Sequence, residues 1–266
     1  MGDVNSIRFF NEMYEGKEVR APYQRLLPWL DDMPPDVAQA RKEEAEALFR
    51  RIGITFAVYG EGGDPERLIP FDMLPRVFTA REWLVLEKGV KQRARALNAC
   101  LWDVYHRSEI VRAGIVPGDL VYRNAAYEPA VVGISPPQKI YSHVVGIDIV
   151  RTGPDEFYVL EDNCRTPSGV SYMLENREVM MRLFPDLFRD LRVAPVDDYP
   201  ELLRKTLASV APDRAGGRPT VVLLTPGAMN SAYYEHSFLA DQMGIENVEG
   251  QDLYVEGDAV YMRSTR

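Results

Sequence analysis

The chain has 266 residues, with 31 Lys and Arg against 40 Asp and Glu, a formal charge of -9. Hydrophobic residues make up 46% and charged residues 27%, the proportions of a folded protein and not of a disordered tail, a collagen-like repeat or a coiled-coil rod. The negative balance argues against a surface that wraps nucleic acid, though a local site can still oppose the global field and hold an anion.

Residues 1–35 read as irregular, ending at the Pro34-Pro35 break. Val37, Ala40, Ala45, Leu48 and Phe49 recur at helical spacing, so a helix is expected from Asp36, as N-cap, to Ile52, with Gly53 as its stop. Ile54–Tyr59 reads as a strand. Gly60-Glu61-Gly62-Gly63-Asp64-Pro65 reads as a turn, since Pro65 stands where a dinucleotide fingerprint needs its third glycine. The apolar stripe Trp83, Leu86, Val90, Ala94, Leu97, Leu101 predicts a long helix from Thr79 to Tyr105, with Arg93 and Arg95 on a solvated face. Strand and loop are expected over 115–142, strands over 142–151 and 157–163, and a helix over 171–188. Residues 195–200 and 211–219 read as linkers around a short helix. Thr220–Thr225 then opens an α/β unit: a strand, a Pro226-Gly227 turn, a helix over Ser231–Met243 capped by Gly244, and a hairpin turning at Glu256-Gly257-Asp258.

Cys100 and Cys164 make neither a disulfide framework nor a Cys-only metal site. The opening residues lack a basic-then-apolar leader, and no apolar run is long enough to span a membrane. Met1-Gly2-Asp3-Val4-Asn5-Ser6 fits the loose myristoylation pattern, which chance also produces often. The expectation is a reduced, cytoplasmic protein without a membrane or nucleic-acid partner.

The chemistry concentrates between residues 146 and 169. Gly153-Pro154-Asp155-Glu156 separates two β-rich runs and predicts a hairpin. With the turn centred between Pro154 and Asp155, Asp148 falls opposite Glu161, and Asn163 shares their face two residues on. Val144, Val150, Phe157 and Val159 are their strand neighbours, so a partly dry patch is expected. Opposed carboxylates need a neutraliser, and Mg²⁺ is bound by one or two carboxylates plus substrate phosphates. The alternative is a solvent-facing hairpin whose acids pair with arginines, and a register slip of one residue would break the convergence. In the following loop, Arg165 and the amides near Ser168 and Gly169 are placed to hold an anion at a helix N-terminus, or else form a plain capped turn with Arg165 paired to Asp162. Cys164 lies beside acids that disfavour a thiolate. His106, His143 and His236 make no zinc or serine-hydrolase pattern.

Gly146-x-Asp148, a hairpin, Glu161-x-Asn163, then Pro167 and Gly169 resemble the metal-binding core of ATP-grasp ligases. Residues 159–177 resemble more closely the circularly permuted ATP-grasp family, including its type 2 group. Ile69–Asp72, Gln92-Arg93 with Ala96-Leu97-Asn98, and Thr225-Pro226-Gly227 with Asn230–Tyr233 agree with it. The resemblance implies an ATP- and Mg²⁺-dependent ligase that activates a carboxylate as an acyl phosphate for attack by an amine. It implies Asp148, Glu161 and Asn163 as Mg²⁺ ligands. Arg165, the candidate catalytic residue, would hold phosphate with Ser168 and Gly169, and Asn230 and Ser231 would touch substrate or merely cap a helix. It also implies an α+β fold: an ATP-grasp-like antiparallel sheet with helices over 1–210, then the start of a Rossmann-like pre-ATP-grasp α/β unit over 218–266. Family members continue well beyond the point matching Arg266, with a glycine-rich lid and nucleotide-clasping lysines that match nothing here. A portion of a ligase, inactive alone, is therefore expected. The competing expectations are a non-catalytic relative that binds a nucleotide or partner chain, and an acid-lined Mg²⁺ hydrolase. The carboxylate, the amine and the oligomeric state are not legible.

Overall fold

The structure is a computed structural model that describes residues 10–57, 66–217 and 219–263. The Met1–Ser6 pattern, the end of the Ile54–Tyr59 strand with the Gly60–Pro65 turn, and the last residues Ser264–Arg266 lie outside the described residues.

A short ribbon of β1 (Tyr14–Glu15) and β2 (Glu18–Val19) leads to α1 (Leu26–Asp31). Helix α2 (Pro35–Ile52) starts at the Pro-Pro break, with Pro34 at the N-cap and Asp36 in the first turn. Proline fits there because the amide it lacks would have no helical partner. Gly53 ends α2 at a φ of 82°, a left-handed stop that glycine adopts without strain. β3 (Thr55–Ala57) pairs antiparallel with β4 (Glu66–Leu68). In α3 (Ala80–Tyr105) the Thr79 hydroxyl accepts from the Glu82 amide, and the Glu82 carboxylate accepts from the Thr79 amide at 2.8 Å. This reciprocal cap explains why so long a helix begins where it does.

Among the described residues of 115–142 no strand forms. After α4 (Glu109–Arg112), the segment holds α5 (Gly118–Tyr122) and single 3₁₀ turns at Pro129–Val131 and Pro137–Lys139. Its prolines lack the amides that a β ladder needs. β5 (Gly146–Gly153) and β6 (Glu156–Asn163) form the expected hairpin, with β5 starting later than the sequence pattern suggests. The helix expected over 171–188 is broken: α6 (Val170–Leu183) stops at Phe184, and α7 (Pro185–Asp190) restarts. Pro185 has no amide to donate back, and it drives the preceding residue out of helical geometry. After α8 (Tyr199–Ser209) come β7 (Val222–Leu224), α9 (Tyr233–Met243) and β8 (Glu246–Val248), with β7 and β8 parallel. Helix α9 begins at Tyr233 rather than Ser231, and Gly244 closes it at a φ of 64°. β9 (Leu253–Glu256) and β10 (Ala259–Met262) form the last hairpin. The fold is thus mixed α+β, and among the described residues each sheet has two strands.

The chain gathers into two compact units, one of residues 1–20 and 78–167, the other of residues 21–77 and 168–266. In the first, Ile149, Phe157 and Val159 of the hairpin face Val85, Leu86 and Val90 of α3 across a cavity of about 460 Å³. The same unit buries Arg151, whose side chain is 2% exposed and ion-paired to Glu82. The guanidinium also donates to the Gly153 carbonyl at 3.0 Å and stands over the Phe78 and Phe157 rings at 5.5 and 5.4 Å. A buried cation is tolerable because its charge is paired and its donors are used. In the second unit, Leu48, Phe49, Phe71, Leu174 and Leu183 are buried, with Phe49 and Phe71 edge to face at 5.5 Å.

Candidate functional site

Asp148 pairs with Glu161 and Gly146 with Asn163, the register that the turn position predicts. The ladder between turn and patch is nevertheless irregular. It shifts between Arg151 and Gly153 and again between Asp148 and Ile149. Thr152 is the extra residue on β5 and Leu160 the extra residue on β6, so the two bulges cancel and the opposition of Asp148 and Glu161 is restored.

The Leu160 bulge also resets which residues share a face. Phe157 and Val159 point at α3, and so does Asp162, whereas Glu161 and Asn163 are exposed on the outer face. Strict alternation puts Phe157, Val159 and Glu161 together, and the structure corrects that. The patch is accordingly wet: Asp148, Glu161 and Asn163 are all exposed, and Val150 beside them is 37% exposed. The Asn163 amide nitrogen donates to Glu161 Oε1 at 3.1 Å. Two carboxylates and an amide oxygen suit a hard cation that keeps part of its water shell. Among the described residues no three His, Cys, Asp or Glu gather into a metal cage, so a cation here would rely on water and other ligands for its remaining positions.

Asp162 does not pair with Arg165. Its carboxylate takes both prongs of Arg93, from Nε and Nη2, each at 2.6 Å. That contact holds the Asp162 carboxyl below the usual carboxylate range, while Arg93 stays on the solvated face expected for it, its side chain 43% exposed. Asn98, one and a half turns along α3, accepts from the Tyr141 and Ser142 amides at 2.8 and 3.0 Å and donates to the Ser142 carbonyl at 3.1 Å. The Ser142 hydroxyl donates to the Cys164 carbonyl at 2.7 Å. Burial and the neighbouring Asp162 push the Cys164 thiol up, which suppresses a thiolate. Arg165 is exposed, and among the described residues it has no ion-pair partner.

Ser168 and Gly169 lie in the other compact unit, as do Asn230 and Ser231. Ser168 is exposed, while Gly169 turns the chain into α6 at a φ of 107°. The anion at this helix N-terminus is the protein's own. Glu235 of α9, 3% exposed, accepts from the Gly169 amide at 2.7 Å and from the Ser171 amide at 3.2 Å. It also accepts from the Ser171 hydroxyl at 2.6 Å. The Gly169 amide is therefore already engaged, and the glycine's contribution is the left-handed turn. Asn230 shapes its own loop, its side-chain oxygen accepting from the Ala232 amide at 2.9 Å, and Ser231 is half-buried beside it. Glu235 escaped sequence reasoning because its partners lie 64 to 66 residues away. Arg93 and Asn98 stood within the resembling stretches, but nothing local showed what they hold.

A family model described as a circularly permuted ATP-grasp matches residues 75–266, which is most of the chain. The chain belongs to the circularly permuted ATP-grasp family. An uncharacterised protein of Synechocystis is 44% identical over 259 residues, covering 97% of this chain and 54% of its own length. An uncharacterised protein of Mycobacterium tuberculosis strain H37Rv is 47% identical over 261 residues, 96% of this chain and 46% of its own length. A Frankia casuarinae protein named "Putative glutamate--cysteine ligase 2-2" is 37% identical over 244 residues, 91% of this chain and 28% of its own length. This ATP-grasp chain thus spans about half the length of the first two relatives.

Proposed function

We propose that the chain is the cation- and phosphate-binding portion of an ATP- and Mg²⁺-dependent carboxylate–amine ligase working through an acyl phosphate. The observation that carries the reading is the opposition of Asp148 and Glu161, with Asn163 on the same face. Family membership supports it, and so does the ligase name of the Frankia relative. The donor set fits Mg²⁺, which when bound would neutralise charge between nucleotide phosphates as the phosphoryl group moves. Asp148, Glu161 and Asn163 would hold it. Arg165, exposed and unpaired among the described residues, would draw in and orient phosphate oxygens. Ser168 would add a hydroxyl, and Gly169 the turn that presents it. Asn230 and Ser231 would line the carboxylate or amine substrate. We place the inherited division at 1–210 and 218–266, the latter as the start of a Rossmann-like pre-ATP-grasp unit. In this reading the 266 residues bind without turning over, the remaining ligands coming from the part of the relatives that they do not span.

Calorimetry with ATP, with and without Mg²⁺, tests the reading. Mg²⁺-dependent binding is expected, weakened at least tenfold by Asp148→Asn or Glu161→Gln, with an unchanged Tm and no phosphate release. Equal ATP affinity in all three proteins would overturn the metal assignment and favour a non-catalytic nucleotide binder. Phosphate release without an amine would favour a hydrolase.

A further inference from the structure

We infer that Arg93 and Asn98 of α3 are positioning residues that aim Glu161 and Asn163 at the outer face of the hairpin and fix the chain where it leaves β6 toward Arg165. The inference rests on the reading of that face as the cation and phosphate patch. The two grips fall on alternate residues. Arg93 holds Asp162 with both nitrogens at 2.6 Å, and Asn98 holds residue 164 through Ser142, whose hydroxyl reaches the Cys164 carbonyl at 2.7 Å. With 162 fastened on the helix side, strand alternation within β6 leaves 161 and 163 on the other, and the hold on the Cys164 carbonyl pins the chain just past the strand end. Exposure follows the same beat: 162 and 164 are half-buried, and 161, 163 and 165 are exposed.

A clamp is needed here because the strand has just lost its phase. The extra residue Leu160 breaks the ladder immediately before the patch. A slip of one residue beyond that point would turn Asp162 outward and carry Glu161 and Asn163 to the helix side. The Arg93 fork matches a carboxylate in one geometry only, so it fixes orientation as well as distance. Asn98 uses donor and acceptor on one short segment, Tyr141 to Ser142, which fixes the second point of the clamp.

The test compares Arg93→Gln, Arg93→Lys, Asn98→Ala and the control Arg95→Gln in the full chain, with Mn²⁺ as the probe ion. Amide hydrogen exchange is followed at residues 161–165, Mn²⁺ affinity by electron paramagnetic resonance, and folding by Tm. Arg93→Gln and Asn98→Ala are expected to raise exchange at 161–165 and weaken Mn²⁺ binding, each at least tenfold. Arg93→Lys should recover part of both, and Arg95→Gln should change neither. A purely structural role would lower Tm in proportion while leaving the folded molecules' Mn²⁺ affinity as in the wild type. Unchanged exchange at 161–165, or unchanged Mn²⁺ affinity despite faster exchange, overturns the inference. If the wild-type chain holds no Mn²⁺ and exchange at 161–165 still rises, the clamp stands and the metal reading of the patch fails.

Discussion

Glu235 shows how one side chain can use up a feature that looks like a ligand site. A helix N-terminus offers unsatisfied amides and a partial positive charge, and here an internal carboxylate fills both roles. Burying that carboxylate is tolerable because the Gly169 and Ser171 amides and the Ser171 hydroxyl all donate to it. Glu235→Gln keeps the shape but turns an amide NH₂ toward these donors. Hydrogen bonds to a charged group are worth about 1.5–3 kcal/mol each, so a loss of at least that order is expected in urea denaturation. Glu235→Ala should lose more, and added acetate should restore part of its Tm while leaving the wild type unmoved. A glutamine variant as stable as the wild type would show that the charge does not matter there.

At the scale of elements, the hairpin carries the patch, and its two bulges are what a pattern of alternating residues cannot reveal. Counting from the turn finds the right partner for Asp148 because Thr152 and Leu160 offset one another. The same counting misjudges the surroundings, since it ignores the phase change at Leu160. Leu160 is 67% exposed, so its side chain contributes little burial. Deleting it joins Val159 to Glu161 and removes the shift next to the patch, with Ile149 still opposite Val159 and Asp148 still opposite Glu161, while the Thr152 bulge near the turn remains. The deletion variant is therefore expected to fold with a Tm close to the wild type and to keep the Arg93–Asp162 contact, read as unchanged amide exchange at 161–163. A collapse of folding would mean that the bulge itself, and not the register, holds the patch in place.

Over the whole molecule, legibility follows the range of the interactions. The start of α3 at Thr79, the Gly53 stop and the hairpin turn depend on neighbours within a few residues, and the sequence pattern finds them. The short helices of 107–141 have too few apolar repeats to declare a period, and the break at Phe184 required giving Pro185 precedence over the stripe around it. The grips of Arg93, Asn98 and Glu235 span 43 to 69 residues and leave no local trace. Charge is the other property of the whole. Most acids with a displaced carboxyl sit low: Asp103 by the Ile110 and Glu109 amides, Asp162 by Arg93, Glu201 by Arg204. Their stabilisation is complete above the ordinary carboxylate range and is lost as the pH falls through their folded values. Glu175 goes the other way. Burial, then repulsion by Glu178 one turn along α6, push its carboxyl up, although Tyr234 opposes this. A raised acid costs nothing below its unfolded value, and it destabilises as the pH rises through its folded one. Glu175→Gln removes that charge at every pH. The variant should match the wild type near pH 4 and be the more stable protein at pH 8, the gap opening between them. Denaturant midpoints across that range decide it, because a gap independent of pH would trace the effect to packing and not to the buried charge.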